Sequence, residues 1–360
     1  MRLSELAHWL NGQHVGTDPI FNSVSLDSRV LEKGALFIAI KGDQFDGHKF
    51  IEQAQQHGAV AALVEQAIPS SGLPYVQVAD TRQALGILAH RHRQQFTIPV
   101  IALTGSCGKT TTKEMLRAIL QHSGPVLASI KSFNNDIGVP LTLLNLNSSH
   151  RFAVIELGAN HLGEIATLSQ MVQPTLALIT NIAPAHLQGF GSIEKVAEAK
   201  SEIFLGLPPT GVALFEKAAK FAGMWREKLT EHRIVEFGLH HAPFSVEHLQ
   251  LDEQGCAHFH CVTPQGTIAI HLALPGQHNV LNALAATAVA TELEIPLAQI
   301  KRGLETMADV PGRLARQKSR QGTCIIDDTY NANPGSVQAA LQFLAACSGK
   351  RILCLVKWPN

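Results

Sequence analysis

The sequence predicts an α/β protein with a small N-terminal α/β module, a central parallel-sheet domain with a phosphate-binding loop (P-loop), and an incomplete Rossmann-like α/β unit at the end. Length is the first observation, because 360 residues fit two or three domains. Composition is the second, since 46% apolar and 16% charged residues describe a folded chain with large buried elements. The third is a repeated order of apolar run, loop and helical segment, which is typical of parallel sheets covered by helices.

The N-terminal module is predicted over residues 1–95. Its short apolar runs, ALFIAI and AVAALV, are separated by Gly, Asp and His, the pattern of buried strands bounded by turns. The polar segment HRHRQQF marks its end.

The central domain is predicted over residues 96–310. VIALT has the composition of a buried strand, a glycine-rich turn follows, and TTKEMLRAIL has helical spacing. Similar runs recur at FAVIEL and TLALIT, so we expect a parallel sheet that binds ligands at the carboxyl ends of its strands. A β-rich region is predicted over 233–274, and NVLNALAATAVATEL, opened by the loop PGQH, predicts a helix.

The third unit is predicted over residues 311–360, after VPGRL. TCIIDD indicates a strand, SVQAALQFLAAC a helix and RILCLV a second strand. Two strands and one helix bury too little apolar surface to stand as an independent domain. We therefore expect this unit to be truncated.

The charge balance and the apolar segments exclude several classes of protein. Lys and Arg number 29 and so do Asp and Glu, which gives no electrostatic basis for binding nucleic acid or an anionic membrane. The apolar runs are too short for a membrane span, and the N-terminus, which contains Glu5, lacks the apolar core of a signal peptide. A cytoplasmic location is expected, with the six cysteines reduced because they form no CxxC pair.

One segment, CAHFHCV, has two interpretations. Strand periodicity would place Cys256, His258 and His260 on one face, where they could bind a metal ion. The favoured alternative is the polar face of a surface strand in a chain that contains 18 histidines.

The segment TGSCGKTT has the components of a phosphate-binding loop. Gly105 and Gly108 allow backbone N–H groups to approach oxygens closely, Lys109 adds a full positive charge, and Thr110 can bind Mg²⁺. Leu103 occupies the first glycine position of the standard motif. An ordinary glycine-rich turn is the alternative, but the position between a buried strand and a helix favours nucleotide binding.

Three further side chains fit a nucleotide-dependent reaction. Glu156 ends the run FAVIEL, where its carboxylate could bind Mg²⁺. His186 follows TLALIT at the same predicted edge of the sheet, and Lys200 lies in a helical segment. A solvated carboxylate, a structural histidine and a surface lysine are the respective alternatives.

The order of the motifs resembles that of the Mur ligase family. The matching segments, which cover nearly the whole chain, are DSRVLEKGALFIAIKGDQFDGHKF, ALTGSCGKTTTKEM, FNNDIGVPLTLL, ELGANHLGEIA, NIAPAHLQGFGS, AKSEIF, GQHNVLNALAA, VPGRL and DDTYNANPGS. ELGANHLGEI, NIAPAH and DDTYNANP are most similar to the branch that adds D-alanyl-D-alanine to UDP-MurNAc-tripeptide.

The resemblance implies an ATP-dependent amide ligase of peptidoglycan synthesis. ATP would phosphorylate the terminal carboxylate of UDP-MurNAc-tripeptide, and the amine of D-alanyl-D-alanine would displace phosphate from the acyl phosphate. The implied phosphate-binding residues are Thr104, Gly105, Ser106, Cys107, Gly108, Lys109, Thr110 and Thr111.

The same resemblance implies the remaining binding residues. Thr110 and Glu156 would hold one Mg²⁺, and His186 with a carbamylated Lys200 a second; Lys109, His186 and Lys200 would be catalytic. The nucleotide would also contact Asn135, Asn279, Asn282, Arg313 and Asp328, and the UDP precursor Ser28, Arg29, Lys41, Asp46 and His48.

Two segments depart from the family pattern. VALFEKAAKF follows Gly211 where an Asn- and Asp-containing turn is usual, and LVKWPN ends the chain where the family continues for about another 100 residues. We expect a frameshift after Leu355, and poor ligation by the chain as written. A monomer is expected. Another Mur-type or folylpolyglutamate-type ligase and a non-catalytic nucleotide-binding remnant are the alternatives.

Overall fold

The computed structural model describes residues 1–42, 45–68, 72–130, 132–184, 190–320, 322–332, 334–347 and 349–355. The chain forms two compact units. The first comprises residues 1–97 with 136–146, and the second residues 98–135 with 147–360. The boundaries predicted near residues 95 and 310 stay predictions. In the described part of the chain, no helix is both long and apolar enough to cross a membrane.

The first unit contains a five-stranded sheet in the order β1-β5-β4-β3-β2. Strands β2 to β5 run parallel, and β1 is antiparallel to β5. The strands are β1 (Gln13–Val15), β2 (Ser23–Ser25), β3 (Ala35–Ile38), β4 (Ala59–Val64) and β5 (Tyr75–Gln77). The helices are α1 (Leu3–Leu10), α2 (Ile51–His57), α3 (Thr81–Arg93) and α5 (Gly138–Leu144).

Both faces of this sheet are buried. Successive side chains of a strand point to opposite faces, and β3 shows the consequence: Leu36 and Ile38 join one apolar cluster, whereas Phe37 and Ala39 join another. This explains why ALFIAI reads as a continuous apolar run. Helix α5 packs against α3, so the segment 136–146 belongs to this unit although it lies beyond residue 97 in the chain.

The second unit contains a six-stranded sheet in the order β11-β10-β9-β6-β8-β7, all parallel. The predicted runs VIALT, FAVIEL and TLALIT form its three central strands. The strands are β6 (Val100–Thr104), β7 (Val126–Ala128), β8 (Phe152–Glu156), β9 (Leu176–Ile179), β10 (Val212–Glu216) and β11 (Arg233–Phe237). The helices are α4 (Lys109–Leu120), α6 (Glu164–Val172), α7 (Ile193–Ser201), α8 (Ala222–Lys228), α9 (His278–Glu292) and α10 (Leu297–Thr306).

The arrangement of β6 determines where a ligand can bind. Every residue of β6 is buried, and the strand lies between β8 and β9. The chain passes from β6 to β7 on one side of β6 and later crosses from β8 to β9 on the other side. The loops that follow β6, β8 and β9 therefore meet at one carboxyl edge of the sheet. Helix α4 leaves this edge, with α9 and α10 packed against it.

The predicted β-rich region is a three-stranded antiparallel sheet of β12 (Ser245–Leu251), β13 (Cys256–Thr263) and β14 (Gly266–Pro275). Cys256, His258 and His260, which could have formed a metal site on one face, do not form a group of close ligand atoms in the described part of the chain. An irregularity between Cys256 and His258 shifts the register against β14, so Cys256 and Ala257 are both buried while His258 and His260 are exposed. Such bulges interrupt the alternation of strand faces.

The C-terminal segment forms β15 (Ala315–Lys318), antiparallel to β16 (Cys324–Asp327), followed by α11 (Pro334–Ala346). The strand predicted from TCIIDD and the helix predicted from SVQAALQFLAAC are confirmed. The strand predicted from RILCLV is wrong for its described residues, 351–355, which form no strand. A strand needs a hydrogen-bonding neighbour, and β15 and β16 pair only with each other in the described part of the chain.

Candidate active site

The phosphate loop joins β6 to α4. Gly105 and Gly108 have φ angles of 152° and 80°, and both approach other side chains closely. A Cβ on Gly105 would overlap Thr180 Oγ1, and a Cβ on Gly108 would overlap Asn282 Oδ1. Only glycine fits either position without displacing these groups. The loop is therefore shaped by β9 on one side and by α9 on the other.

The residues that follow β9 fix the path of the loop. Thr180 Oγ1 donates to the Cys107 carbonyl at 2.7 Å, and Asn181 accepts from the amides of Ser106 and Cys107 at 3.0 and 2.9 Å. Ser106 Oγ donates to the Ala183 carbonyl at 2.9 Å. The amides of Ser106 and Cys107 therefore both donate within the protein in this structure.

The first turn of α4 supplies the remaining amide donors. The first hydrogen bond of the helix runs from the Thr112 amide to the Gly108 carbonyl at 2.8 Å, so the N–H groups of Lys109, Thr110 and Thr111 have no acceptor inside the helix. Together with the helix dipole they form an anion-binding surface. Thr104 and Thr111 are buried, and Thr104 Oγ1 donates to the Leu157 carbonyl at 2.8 Å.

Lys109 is the cation of this loop. Its Nζ donates to the Gly105 carbonyl at 2.8 Å, which folds the side chain back over the loop. Burial lowers the pKa of Lys109, the Glu156 carboxylate opposes this shift, and the Arg313 guanidinium reinforces it. A partly dehydrated cation beside another positive charge is stabilised by an incoming anion.

Glu156 accepts hydrogen bonds on both carboxylate oxygens. Thr110 Oγ1 donates to its Oε2 at 3.0 Å, and Asn134 Nδ2 donates to its Oε1 at 2.8 Å. The side chain is only 1% exposed, and its backbone amide donates to Ser129 Oγ at 3.0 Å. A buried carboxylate beside a hydroxyl and a phosphate loop offers the hard oxygen atoms that Mg²⁺ prefers.

Lys200 is buried on α7, with 3% of its surface exposed. Burial lowers its pKa from 10.5 to about 7, and the charge of Lys109 acts in the same direction, while Glu164 and Glu202 oppose it. Its Nζ lies 5.6 Å from the centroid of the Phe190 ring. The other predicted ligand of the second metal, His186, lies outside the described residues.

Asn279 and Asn282 support the loop from α9. Asn279 Nδ2 donates to the Pro275 carbonyl at 2.7 Å, and Asn282 Nδ2 donates to Asn279 Oδ1 at 2.9 Å. Both side chains are buried. The pair of amides places Asn282 Oδ1 against Gly108, so these residues contact the phosphate loop itself.

Arg313 and Asp328 lie close together after the central domain. The Arg313 guanidinium stacks on the Tyr330 ring at 4.2 Å from its centroid. The Leu314 amide donates to Asp328 Oδ1 at 3.3 Å. Burial raises the pKa of Asp328, and the Arg313 charge opposes the increase. Since Arg313 also influences Lys109, it lies within electrostatic range of the phosphate loop.

Sequence reasoning missed several residues of this site. Asn135, predicted near the phosphates, is exposed, and its neighbour Asn134 is the residue that contacts Glu156. A Cβ on Gly158 would overlap the Asn134 amide, so the glycine that follows β8 makes room for it. Thr180 and Asn181 could have been found because they directly follow a strand at the same edge of the sheet as the loop.

The first unit holds the residues predicted to bind the UDP precursor. Ser28 is buried, and its Oγ donates to Gln53 Oε1 at 2.7 Å. Arg29 is exposed and makes a bidentate pair with Asp27, at 2.9 Å from Nε and 2.8 Å from Nη2. Hydrogen bonds from Arg29 lower the pKa of Asp27 to about 2.

Lys41, Asp46 and His48 lie around one loop of this unit. Lys41 and Asp46 form an isolated antiparallel bridge. His48 Nδ1 donates to Asp46 Oδ1 at 2.7 Å, and His48 Nε2 accepts from the Glu65 amide at 3.0 Å. Because Nε2 is an acceptor, this assignment makes the ring neutral and uses both of its nitrogens within the protein.

The six-stranded parallel sheet and the phosphate loop between β6 and α4 together define a nucleotide-binding protein of the P-loop class, which also has a second α/β unit. Two family models match the chain: the Mur ligase middle domain over residues 103–290 and the catalytic domain of the Mur ligase family over residues 21–93. The UDP-N-acetylmuramoyl-tripeptide--D-alanyl-D-alanine ligase of Haemophilus influenzae is 44% identical over 356 residues, which are 98% of this chain and 77% of that protein.

Solved structures give the same result. The crystal structure of MurF from Acinetobacter baumannii is 41% identical, with a TM-score of 0.91 over 97% of this chain and 77% of that chain. MurF ligase from Thermotoga maritima in complex with ADP is 28% identical, with a TM-score of 0.80 over 92% and 76% of the two chains. The chain therefore belongs to the Mur ligase family, and the predicted α/β fold is confirmed.

Proposed function

We propose that this chain is an ATP-dependent, ADP-forming ligase that joins D-alanyl-D-alanine to UDP-MurNAc-tripeptide in peptidoglycan precursor synthesis. The relatives that carry this activity in their names match nearly the whole chain at up to 44% identity. The carrying observation in the structure is the group formed by Lys109, Thr110 and the buried Glu156 at the carboxyl edge of the parallel sheet. We also propose a monomer in the cytoplasm.

The physical problem in this reaction is charge. A carboxylate must approach a triphosphate, and both are anions, so the site has to neutralise them before the phosphoryl group can move. The first-turn amides of α4 and the Lys109 ammonium meet this need. On ATP binding, the Lys109 ammonium would give up its hydrogen bond to the Gly105 carbonyl and donate to phosphate oxygens. A charged acceptor would then replace a neutral one, which strengthens the hydrogen bond.

The reaction proceeds in two balanced steps. An oxygen of the tripeptide carboxylate forms a bond to the γ-phosphorus, and the bond to the β-phosphate oxygen breaks, releasing ADP. The ammonium of D-alanyl-D-alanine first gives one proton to water, the resulting neutral amine forms a bond to the acyl carbon, the bond from that carbon to the phosphate oxygen breaks so that inorganic phosphate leaves, and the nitrogen gives one further proton to water as the amide forms. The residues of this chain bind and orient the reactants. Because the acyl phosphate and the amine are then held side by side, the second step becomes effectively unimolecular.

The residues beside the loop fit Mg²⁺. Thr110 Oγ1 and Glu156 Oε2 are oxygen ligands 3.0 Å apart. Asn134 holds the Glu156 carboxylate, and Ser129 accepts from the Glu156 backbone amide. When bound, Mg²⁺ supplies positive charge to the phosphate oxygens. Thr110 and Glu156 would hold the first ion, and Lys200 with His186 the second.

The burial of Lys200 supports its proposed carbamylation. An amine reacts with carbon dioxide only when it is neutral, and a pKa of about 7 gives a large neutral fraction near neutral pH. The carbamate replaces a buried cation with an anionic oxygen donor, which relieves the unfavourable charge next to Lys109 and suits a hard cation.

The test is ADP release measured with each substrate omitted in turn. We expect sustained release over many turnovers only when ATP, UDP-MurNAc-tripeptide and D-alanyl-D-alanine are all present, at most one ADP per chain when D-alanyl-D-alanine is omitted, and no stimulation when UDP-MurNAc-dipeptide replaces the tripeptide. Equal rates with the dipeptide would indicate a different ligase. Nucleotide binding without any ligation would favour a nucleotide-binding remnant and contradict the proposal.

A further inference from the structure

The three-stranded sheet β12–β14 exposes two pairs of histidines. His258 on β13 lies opposite His271 on β14, and their rings stack with centroids 3.7 Å apart. His248 and His260 form the second pair, with ring centroids 5.1 Å apart and an edge-to-face geometry. The mechanism proposed above uses none of these four residues.

Among the described residues, a carboxylate forms ion pairs with the first pair of histidines and none does so with the second. Asp252 Oδ2 lies 3.3 Å from His271 Nε2 and 3.5 Å from His258 Nε2. Its other oxygen, Oδ1, accepts from the amides of Gln254 and Cys256 at 2.8 and 2.9 Å. The turn that follows β12 therefore fixes the carboxylate and leaves Oδ2 toward the two imidazoles.

We propose that Asp252, His258 and His271 form a binding site for a divalent transition-metal ion of the zinc class. Tetrahedral coordination with bonds of about 2.0–2.1 Å separates the ligand atoms by about 3.3–3.5 Å. The two oxygen–nitrogen distances have these values, and the ligand atoms of the two histidines lie within 4.8 Å of each other. The two rings are stacked in this structure, so they would turn to direct both nitrogen lone pairs at one ion. Two imidazoles with one carboxylate favour zinc over Mg²⁺. Within the described residues, this is the only group of three potential ligands whose binding atoms all lie within 4.8 Å.

Asp252 and His271 also help to line a cleft of about 370 Å³. Arg316 of β15 lies in the same cleft, where it donates to the Ala273 carbonyl at 2.9 Å and to Cys256 Sγ at 3.3 Å. A metal bound to Asp252 would clamp the turn that presents Cys256 to Arg316. We therefore expect the ion to stabilise this sheet and its contact with β15.

The experiment is a titration of the whole chain with Zn²⁺ in several millimolar Mg²⁺, followed by calorimetry and thermal unfolding. We expect one strongly bound zinc per chain and a higher unfolding temperature with zinc. His258→Gln and His271→Gln should each weaken zinc binding by at least about 10- to 100-fold, since loss of a ligand costs no less than loss of a supporting hydrogen bond.

Matched controls come from the same sheet. His248→Gln and His260→Gln remove the histidine pair that lacks a carboxylate, and they should leave zinc affinity unchanged. Cys256→Ser tests whether a thiolate is the real ligand, so retained zinc affinity supports the proposal and lost zinc affinity overturns it.

The proposal also fails if no zinc binds, or if His258→Gln and His271→Gln bind zinc as tightly as the parent does. Both histidines are about half exposed, and unfolding without zinc verifies that the variants fold.

Discussion

Lys109 shows at the scale of one residue how a buried cation becomes a ligand for phosphate. Within the described part of the chain, the hydrogen-bond partner of its ammonium is the neutral Gly105 carbonyl, and the nearby Arg313 charge disfavours the charged form. Replacement by methionine keeps the length of the side chain and removes the charge. We expect Lys109→Met to weaken ATP binding by about 1.5–3 kcal/mol, roughly 10- to 160-fold, as measured by calorimetry.

Arg117 provides the control for Lys109. It lies on the same helix, is half exposed and pairs with Glu114 at 2.7 Å. Arg117→Met should leave ATP affinity unchanged because exposed pairs contribute little. If Lys109→Met binds ATP as tightly as Arg117→Met does, Lys109 does not bind the phosphates.

Lys200 makes the stability of the second unit depend on pH. Its pKa falls from 10.5 to about 7 on folding, so between these values the unfolded chain holds a proton that the folded chain has released. The free energy of unfolding should therefore rise with pH across this window, by up to about 1.4 kcal/mol per unit. Lys200→Met should lose this rise and gain most stability at pH 7 and below.

Urea unfolding at pH 6 to 10, without Mg²⁺ and with carbon dioxide removed, measures the effect. Lys195→Met is the control, because Lys195 is on the same helix but exposed, and it should keep the pH slope of the parent. If the free energy of unfolding changes with pH by the same amount in Lys200→Met and in the parent, Lys200 does not titrate in this range.

Single residues differ in how far the sequence could predict them. The TGSCGKTT spacing predicts Lys109 and Thr110, because a loop between a strand and a helix brings consecutive residues to one site. The spacing does not reveal Asn181, which contacts the loop, or Asn134 and Ser129, which contact Glu156. All three residues follow other strands of the sheet. Their roles depend on the order β9-β6-β8-β7 of the sheet, which a single sequence does not encode locally.

Helix packing determines whether α4 holds the loop in place. Gly303 of α10 lies so close to α4 that a Cβ would overlap the Ile119 backbone. We expect Gly303→Ala to separate the two helices and to destabilise the second unit by about 1–3 kcal/mol, measured by urea unfolding. ATP affinity should fall with it, because α4 carries Lys109 and Thr110.

Gly223 is the matched control in a helix without such a contact. It lies on α8 and is exposed, and a Cβ at this position would meet no atom within 4 Å. Gly223→Ala should stabilise the chain by up to about 1 kcal/mol through helix propensity. Equal effects of the two substitutions would mean that the contact between α4 and α10 contributes nothing.

Elements were predictable where one local pattern decides them. The strands β6, β8 and β9 are short apolar runs bounded by loops, and the sequence identifies all three. The side-chain face of Cys256 was not predictable, because a bulge depends on the partner strand β14. The packing of α5 on α3 was not predictable either, since amphipathic spacing identifies a buried face but not the surface that covers it.

The whole molecule combines two units that each have their own buried sheet and apolar clusters. A ligand stabilises the part of a protein that it contacts, because opening that part requires the ligand to leave. If the phosphate loop binds ATP and the residues around Arg29 bind the UDP precursor, each ligand should protect a different unit. Amide hydrogen exchange distinguishes the two units directly.

We expect ATP with Mg²⁺ to slow exchange in residues 104–115 and 276–285, and UDP-MurNAc-tripeptide to slow exchange in 23–50. The segment 136–146 is the most informative, because it follows the phosphate loop in sequence but packs with the first unit. It should therefore respond with 23–50. Protection of 136–146 by ATP alone would contradict this division, and protection of 23–50 by ATP alone would contradict the assignment of the precursor to the first unit.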